Sequence, residues 1–420
     1  MTRDTVYDVM VIGAGFAGMA ASLFASSRGL SVAQAGTTGG IDFSTGFIDL
    51  MGVHPVSEQR RRMRPWKAVE AVVRDCPGHP YGLVERDELA ASINEFTAFL
   101  AEQGLEYVGH DDRNTCVLTP AGTVKRTYRV PRTAWNGVVA LEQKAPTLIV
   151  DFHGLKGFSA KQLMQTRKDS WPQLEAVRVE FPAGRGELYP EHMAWALADP
   201  ANRVRLAETV MARAGGAEYV GFPAVLGLND PLKVVTHLEE LTGKKIFEIP
   251  TMPPSIAGPR LRGAFDRGLP AKGVRTLSQK MVLKASAADG DMLRFEVGTG
   301  AAAVTVTAKA AILATGRFFG KGLRANRQGM TEPLFNIPVV QPRTRDEWHG
   351  PDFFGPQGHP ANMAGIEVDS RLRPLGDGAP VHRNLFAAGA ILAHQDWMRM
   401  KCGAGLAIAT AFKAVKELTG

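Results

Sequence analysis

Apolar runs that alternate with amphipathic stretches are the main pattern of this 420-residue chain. Tyr7 to Ile12 is apolar apart from Asp8, which suits a strand buried on both faces, and it leads through the turn at 13–15 into a helical stretch over about 16–28. Leu30 to Ala35 predicts a second strand, and apolar positions at near-helical spacing predict a helix over 85–104. The succession of strand, helix and strand is typical of a parallel α/β sheet.

The middle of the chain repeats this alternation. The pattern predicts strands over 147–152, 176–181, 218–222 and 245–249, and helices over 160–166, 191–198, 201–214 and 231–241. Strands that alternate with helices indicate βαβ units and a mainly parallel sheet. Pro250, Pro253 and Pro254 then predict a rigid segment where the chain leaves this region. We therefore predict an inserted α/β domain over 145–250.

The two flanking parts, 1–144 and 251–420, are predicted to form one Rossmann-like domain. Its second part has predicted strands at 293–297, 303–307, 310–316 and 384–390, the last two closing on glycine turns, and a terminal helix that opens near Cys402. The predicted fold class is thus α/β, a Rossmann-like domain with an α/β insertion.

The chemistry-bearing motif lies at the end of the first strand, where Gly13, Gly15 and Gly18 form G-x-G-x-x-G. Gly13 allows a tight turn, Gly15 has no side chain to keep a pyrophosphate away, and Gly18 lets the helix pack on the strand. The N–H groups at the start of that helix are aimed at phosphate. The strand before and the helix after make nucleotide binding the preferred interpretation over a chance run of glycines.

Composition narrows the class of protein. The net charge of +7 is spread along the chain, and the densest run, Arg60 to Arg64, has no aromatic interleaving, so no nucleic-acid partner is expected. Cys76, Cys116 and Cys402 are far apart, which argues against disulfides, zinc and iron–sulfur ligation and fits a reducing cytoplasm. Without an export signal or a long apolar run, membrane association is expected only through a partner.

Three elements in order resemble the two-dinucleotide-binding-domain flavoproteins: the glycine motif, the strand ending at Thr315-Gly316, and the late strand ending at Gly389. Two departures stand out. Gly36 occupies the position of the usual ribose-binding acid, and Ala390 follows Gly389 where an aspartate is usual. The site then holds FAD by backbone contacts alone, holds FMN, or has low flavin affinity.

With these departures in view, the chain also resembles the B subunits of the anaerobic glycerol-3-phosphate dehydrogenases over essentially its full length. The resemblance rests on unusual strings in matching order, at 43–50, 250–255 with Gly258 and 260–261, 314–319, 345–348 with 352–354, and 384–387. It implies FMN rather than FAD. It also implies a quinone-linked complex of anaerobic respiration and glycerol metabolism that oxidises sn-glycerol 3-phosphate to dihydroxyacetone phosphate. The implied partners are an FAD-containing catalytic subunit and an iron–sulfur membrane-anchor subunit, which would place the chain in the cytoplasm, peripheral to the inner membrane.

Candidate site residues follow from the motifs. Besides the glycine motif, the predicted flavin contacts are Ser44, Thr45, Gly46, Thr315, Gly316, Gly389, Gly403 and Gly405. His394, just after the late strand, is the candidate base for removing the substrate hydroxyl proton, although a structural histidine is the simpler interpretation. Arg260, Arg317 and Lys321 are candidates, by chain position only, for holding a substrate phosphate.

Two alternative functions stay open. The chain could be a structural subunit with a degenerate flavin site, or a self-contained flavin oxidoreductase that acts on another small molecule.

Overall fold

The computed structural model describes residues 5–37, 39–184, 186–300 and 303–420. The chain forms an α/β protein that divides into two compact units. The first unit comprises Met1–Ile41, Asp49–Thr97 and Phe265–Gly420, and the second comprises Asp42–Ile48 and Ala98–Ala264.

Helices and strands alternate over residues 135–278, whereas the strands from Arg275–Ser278 to Leu385–Ala387 follow one another without an intervening α-helix among the described residues. The α-helices are α1 (Phe16–Ser27), α2 (Pro65–Asp75), α3 (Arg86–Glu102), α4 (Trp135–Gln143), α5 (Ala160–Arg167), α6 (Pro190–Ala196), α7 (Pro200–Ala214), α8 (Pro231–Thr242), α9 (Ala257–Ala271), α10 (Trp397–Met400) and α11 (Gly403–Thr419). The strands are β1 (Val6–Ile12), β2 (Val32–Gly36), β3 (Tyr107–Val108), β4 (Thr115–Leu118), β5 (Val124–Thr127), β6 (Val130–Pro131), β7 (Thr147–Phe152), β8 (Leu174–Val179), β9 (Tyr219–Pro223), β10 (Lys245–Ile249), β11 (Arg275–Ser278), β12 (Val282–Ala288), β13 (Met292–Val297), β14 (Val304–Leu313), β15 (Arg324–Ala325), β16 (Met330–Thr331), β17 (Val339–Val340), β18 (Gly365–Ile366), β19 (Leu375–Gly376), β20 (Ala379–Pro380) and β21 (Leu385–Ala387).

The first unit is built on a sheet in the order β11-β2-β1-β14-β13-β12, with β21 also paired to β14. The strands β11, β2, β1, β14 and β21 run parallel, whereas β13 and β12 join antiparallel. Helices α1 and α11 pack on each other, and the rings of Phe24 and Phe412 meet edge to face at 5.2 Å. This is the Rossmann-like architecture that the first βα unit predicts.

The prediction of two separate strands between residues 303 and 316 is wrong. The apolar runs at 303–307 and 310–314 belong to the single strand β14. The polar residue that separates them, Lys309, is exposed and pairs with Asp8 at 2.8 Å, so it does not interrupt the ladder. One edge of β14 pairs with β13 up to Ala308 and with β21 from Ala311 onward, while β1 pairs along its other edge.

The second unit is built on a four-stranded parallel sheet, β10-β9-β7-β8. Sequence patterning predicts each of these strands within two residues, because their apolar runs are short and clearly bounded. Helix α4 packs on the sheet so closely that a Cβ on Gly137 would lie 2.4 Å from the Phe247 ring.

The bounds of the second unit differ from the predicted insertion at 145–250. The unit begins at Ala98, ends at Ala264 and also includes Asp42–Ile48. Leu118, Ala140 and Leu141 share a hydrophobic core with the residues of the sheet, which draws the preceding hairpin and α4 into the same unit. Such long-range packing leaves no local signal in the sequence. Among the described residues, no helix is both long enough and apolar enough to cross a membrane.

A buried histidine in the first unit gives stability a pH dependence. His79 is 2% exposed, and its Nδ1 accepts a hydrogen bond from the Tyr81 N–H at 3.2 Å. Burial, followed by the charges of nearby His54 and His394, lowers the pKa of His79 to about 3. The folded protein therefore keeps this ring neutral, whereas the unfolded chain protonates it near pH 6.5.

We predict that this difference costs stability as the pH falls below about 6.5. Below pH 6.5 the unfolded state binds a proton at His79 that the folded state does not bind. The free energy of unfolding is therefore unaffected by this group above pH 6.5 and falls progressively as the pH is lowered toward 3. At pH 5 the expected loss is about 2 kcal/mol. Urea unfolding at pH 7.5 and pH 5 measures it. His79→Asn keeps an acceptor for the Tyr81 N–H and should remove most of this loss, whereas His153→Asn, at an exposed site, should not. An equal loss in wild type and His79→Asn would contradict the assignment.

Candidate functional site

The candidate site lies at the edge of the first unit's sheet where the parallel strands end. The carboxyl ends of β2, β1, β14 and β21 are aligned, since Ile12 is opposite both Ala35 and Leu313, and Leu313 is opposite Ala387. Open α/β sheets bind ligands outside this edge. The turns that follow these strands contain six of the predicted cofactor residues, namely Gly13, Gly15, Gly18, Thr315, Gly316 and Gly389.

The three motif glycines differ in what they require. Gly13 has φ +138°, and a Cβ there would lie 2.2 Å from the Ala314 carbonyl oxygen. A Cβ on Gly18 would lie 2.1 Å from the Gly13 oxygen. At Gly15, by contrast, the nearest atom to a Cβ would be the Gly40 nitrogen at 4.0 Å. Gly13 and Gly18 are thus required by the fold itself, whereas the space beside Gly15 is available to a ligand.

Helix α1 presents its amino terminus at this space. Gly15 is the N-cap residue, and the Met19 N–H donates to the Gly15 oxygen at 2.9 Å, so the N–H groups of residues 16–18 precede this bond. In the part of the chain that is described, no side chain caps this end and its first turn has no acid. A bare helix start beside a glycine favours an anion such as phosphate. The site therefore fits the phosphate of a flavin nucleotide.

The missing ribose acid has a steric cause. A Cβ on Gly36 would lie 2.6 Å from the Ala14 nitrogen, and a Cβ on Gly39 would lie 2.6 Å from the Ala14 oxygen. The backbone that follows β2 therefore packs directly on the glycine loop. On this backbone an acidic side chain at position 36 is excluded, so a carboxylate anchor for adenosine is ruled out there.

Sequence reasoning missed Gln34, a buried amide in β2 that fixes the glycine loop. Its Nε2 donates to the Gly13 oxygen at 3.1 Å and lies 3.5 Å from the Met19 sulfur. The side chain is only 4% exposed, so this bond is made away from water. A lone polar residue within the apolar run of β2 was the signal that could have identified it.

Thr315 and Gly316, the predicted flavin contacts that follow β14, differ in the groups that they could present to a flavin. A Cβ on Gly322 would lie 2.4 Å from the Thr315 hydroxyl oxygen, so this hydroxyl faces the 316–322 loop. It is buried, with no hydrogen-bond partner among the described residues. Gly316 has φ +67°, a conformation that favours glycine. Any flavin contact from this segment would then come from its backbone.

Close packing accounts for the glycines at the other two turns. A Cβ on Gly389 would lie 2.6 Å from Ala17 of α1. At the start of α11, a Cβ on Gly403 would lie 2.8 Å from the Trp397 ring, and one on Gly405 would lie 2.6 Å from the Asp49 oxygen. The Gly405 N–H also donates to that oxygen at 2.8 Å. Their contact with a flavin stays a prediction.

Tyr81 also lies at the start of α11, and sequence reasoning missed it because nothing in the Pro80–Leu83 turn marks it. Its hydroxyl donates to the Leu50 oxygen at 2.7 Å. Complete burial raises the pKa of Tyr81 well above its usual value, so the hydroxyl stays protonated. Cys402, the N-cap of α11, is also buried, and burial raises the pKa of its thiol. Both groups are therefore neutral neighbours of this helix start.

Arg317 is a structural centre of the first unit. Its guanidinium donates to the carbonyl oxygens of Ala390 at 2.7 Å, Gln395 at 2.8 Å and Leu392 at 3.2 Å, and also to that of Asn362. Burial lowers its pKa to about 10, which still leaves the group charged at neutral pH. These bonds occupy the guanidinium, so we do not retain Arg317 as a phosphate ligand.

His394 contacts a carboxylate, whereas Lys321 is exposed and lies near a methionine sulfur. His394 has φ +63°, and its Nε2 lies 2.9 Å from a Glu367 carboxylate oxygen. A carboxylate that orients an imidazole is compatible with a base, and whether His394 acts as one stays a prediction. Lys321 is exposed, and its Nζ lies 3.6 Å from the Met281 sulfur.

The remaining predicted residues belong to the second unit. Arg260 is 6% exposed and forms a two-pronged ion pair with Glu248 at 2.7 and 2.8 Å, and its Nε donates to the Gly227 oxygen at 2.8 Å. The carboxylate already neutralises this guanidinium, so we do not retain Arg260 as a phosphate ligand either. The polar Glu248 within the apolar strand β10 was the available signal.

The Ser44-Thr45-Gly46 loop forms a local turn. The Ser44 hydroxyl accepts from the Gly46 N–H at 3.0 Å, and the Tyr107 hydroxyl donates to the Gly46 oxygen at 2.7 Å. Gly46 and Arg260 both line a cavity of about 370 Å³, a volume that includes space open to solvent. The structure thus brings these two predicted residues together, within the second unit.

Comparison with known proteins identifies the family. Residues 8–406 match the family model described as "FAD binding domain". The probable anaerobic glycerol-3-phosphate dehydrogenase B subunit of Halobacterium salinarum is 32% identical and covers 97% of this chain and 96% of its own length. This chain belongs to the B-subunit family of the anaerobic glycerol-3-phosphate dehydrogenases. The corresponding proteins of Aliivibrio fischeri and Vibrio cholerae are 27% and 29% identical, each over 98% of this chain and over 95% and 96% of their own lengths.

Among solved structures, this B-subunit family member is similar to 3-ketosteroid Δ1-dehydrogenase from Sterolibacterium denitrificans, with 12% identity and a TM-score of 0.43 over 98% of this chain and 99% of that one. A flavocytochrome c3 fumarate reductase in an open conformation gives 12% identity and a TM-score of 0.41 over 99% of this chain and 79% of that one. The family model supports a flavin, FAD at least, as the cofactor class of this chain.

The packing of Arg317 generates a test. We predict that Arg317→Leu lowers the free energy of unfolding by at least about 2 kcal/mol, because it leaves the carbonyl oxygens of Asn362 and Gln395 without this donor, whereas those of Ala390 and Leu392 keep the Gln395 side chain. Arg213→Leu, at an exposed site, should change it by less than about 0.5 kcal/mol. Chemical denaturation measures both. A stable Arg317→Leu protein with weakened phosphate binding would instead restore Arg317 as a ligand.

Proposed function

We propose that this chain is a flavoprotein subunit of a quinone-linked anaerobic glycerol-3-phosphate dehydrogenase. The observation that carries the proposal is a phosphate-compatible glycine edge in a chain that belongs to the B-subunit family over nearly its full length. In this function sn-glycerol 3-phosphate loses two electrons and two protons to give dihydroxyacetone phosphate. The subunit relays the electrons onward to an iron–sulfur partner.

The flavin would be held at the carboxyl edge of the first unit's sheet. A bound flavin supplies an acceptor that takes two electrons together and can release them singly. Residues 16–18 of α1 would donate their N–H groups to its phosphate, and Gly15 would leave that phosphate room. Gln34 would keep the glycine loop in place through the Gly13 oxygen.

We propose FMN as the flavin. A carboxylate at position 36 is sterically excluded, which removes the usual anchor of an adenosine ribose. FMN has no adenosine and does not need that anchor. The family model names FAD, and FAD held by backbone contacts is the other form that this edge accepts. Chromatography of the flavin released by acid decides between the two.

The proposed assembly supplies the iron–sulfur cluster ligands that this sequence lacks. Cys76, Cys116 and Cys402 are too few and too dispersed for cluster ligation, so the electrons require a partner that holds iron–sulfur clusters. We propose that this partner also anchors the complex at the cytoplasmic face of the inner membrane, and that an FAD-containing subunit carries the dehydrogenase chemistry. His394, oriented by Glu367, is the proposed base if this chain itself contacts substrate.

Replacement of Gly15 tests the cofactor edge. We predict that Gly15→Ala leaves the melting temperature of the flavin-free protein within about 1 °C, because its Cβ meets nothing closer than 4.0 Å. The same methyl group would press on a bound phosphate, so flavin affinity should fall at least tenfold. Gly216→Ala, where a Cβ also has open space, should change neither property.

Gly18→Ala provides the contrast in this series. Its Cβ would collide with the Gly13 backbone, so it should lower stability whether or not flavin is present. Titration of free flavin with the flavin-free protein, followed by flavin fluorescence, measures affinity. A thermal melt measures stability. Full flavin affinity in Gly15→Ala would exclude this edge as the phosphate site.

Turnover of glycerol 3-phosphate tests the assigned reaction. The purified chain alone should not reduce an artificial acceptor with this substrate, whereas the chain co-expressed with its FAD and iron–sulfur subunits should reduce a soluble quinone. Turnover by the chain alone would favour a self-contained oxidoreductase. A complex that is active although this chain lacks flavin absorbance would indicate a structural subunit.

A further inference from the structure

Exposed aromatic residues concentrate on three short segments of the first unit, two loops and the helix α10. Phe353 and Phe354 are 73% and 83% exposed, and Phe318 and Phe319 are 41% and 64% exposed. Trp397 and Met398 of α10 are also exposed. We refer to Phe318, Phe319, Phe353, Phe354, Trp397 and Met398 as the aromatic patch. An exposed group of large apolar side chains marks an interaction site more often than a monomer surface.

Two arginines hold these loops together. Arg317, next to Phe318, donates to Asn362 and to the Gln395 oxygen at 2.8 Å, which ties the first loop to the other two. Arg399, next to Met398, donates to the Gly355 oxygen at 2.6 Å. The loops are therefore fixed to one another by buried or half-buried hydrogen bonds. A surface that is ordered before binding loses little conformational entropy when it docks.

The aromatic rings themselves are arranged by local contacts. Phe353 and Phe354 meet edge to face at 4.9 Å, and Phe353 packs on the His359 ring at 5.8 Å. The Asp352 carboxylate accepts from the Phe354 N–H at 3.1 Å, which fixes the tip of the loop. These contacts hold both phenylalanine rings toward solvent in a defined geometry.

The chain segment that contains Phe318 and Phe319 is basic. Residues 316–331 contain Arg317, Lys321, Arg324 and Arg327 and no carboxylate. Lys321, Arg324 and Arg327 are exposed. Aromatic residues with arginine at their border are the composition of a protein interface core and rim. A complementary surface would present an apolar pocket with carboxylates along one side.

We propose that the aromatic patch is the docking surface for a companion protein subunit of the same dehydrogenase, one that offers an apolar pocket edged by carboxylates. The inference rests on the proposed function, because membership of a family of dehydrogenase subunits implies companion subunits. The patch also begins two residues after Gly316, at the end of β14. A partner bound there lies against the segment that leads out of the candidate cofactor edge.

The charge at the tip favours protein over lipid. The exposed Asp352 lies next to Phe353 and Phe354. Insertion of these rings into a bilayer would draw its carboxylate toward the apolar layer, at a cost that a cation on a protein partner avoids.

The test uses the full chain and its purified companion subunits. Phe353→Ser with Phe354→Ser should weaken binding to one companion subunit at least tenfold in biolayer interferometry, because central aromatic residues dominate interface energy. Tyr189→Ser with Trp195→Ser removes two aromatic residues that are each 52% exposed elsewhere, and should change binding less than twofold. Melting temperature and flavin content should match wild type in both variants.

A charge-reversal pair provides the second measurement. Arg324→Glu with Arg327→Glu should slow association at least fivefold at low salt and less at high salt, since these charges steer the encounter. Arg213→Glu with Lys161→Glu, at exposed sites of the second unit, is the matched control.

The outcomes separate the two proposals. Wild-type binding that the phenylalanine double variant retains within twofold would overturn the docking surface and leave the proposed function standing. A wild-type chain that binds no companion subunit and holds no flavin would overturn both. If the double variant keeps companion binding but loses binding to vesicles of phosphatidylglycerol and phosphatidylethanolamine, the patch is a lipid contact and the proposal is wrong.

Discussion

The approach of backbone to backbone at the carboxyl edge of the first sheet is the constraint on which the site depends. Gly13 touches Ala314, Gly18 touches Gly13, and Gly36 touches Ala14, each at a distance that excludes a Cβ. The segments at 13–18, 36 and 314 can meet there only because each contact has a glycine on at least one side. This contact places the start of α1 at the strand ends, and the same contact removes the acid that would recognise adenosine. The space for a phosphate at the proposed site and the loss of the ribose anchor therefore have one physical origin.

The arginines show how the same residue type serves different needs. Arg260 neutralises Glu248 inside the second unit, while the Arg317 guanidinium donates hydrogen bonds to backbone carbonyl oxygens at 362 and 390–395. A buried guanidinium needs several acceptors, and a backbone that turns back on itself supplies them. Sequence position alone suggests phosphate binding for both, since an arginine beside a glycine turn has the same appearance in either role. Only the geometry of the acceptors separates a structural arginine from a ligand.

Periodicity predicted much of the fold because its strands are buried and short. Thr147–Phe152 and Lys245–Ile249 agree with the prediction at both ends. The prediction fails where a polar residue reaches solvent from a continuous strand, as Lys309 does, and where a hairpin joins a distant core, as Leu118 does. The glycine fingerprint indicated the candidate site, but Gln34 and Tyr81 hydrogen-bond to partners remote in sequence. Their roles depend on tertiary contacts that a linear pattern does not contain.

Arg317 also connects the cofactor edge to the surface. Its backbone continues the turn that follows β14, while its side chain fixes the loops that hold the aromatic patch. In a relay subunit, electrons must leave through a surface that a partner recognises, and that surface has to be fixed relative to the cofactor. The aromatic patch, which begins two residues after Gly316, would meet both conditions, with Arg317 and Arg399 fixing its segments to one another. The hydrogen bonds that occupy the Arg317 guanidinium, and so rule it out as a substrate ligand, would in the proposed relay help to fix the surface through which electrons leave.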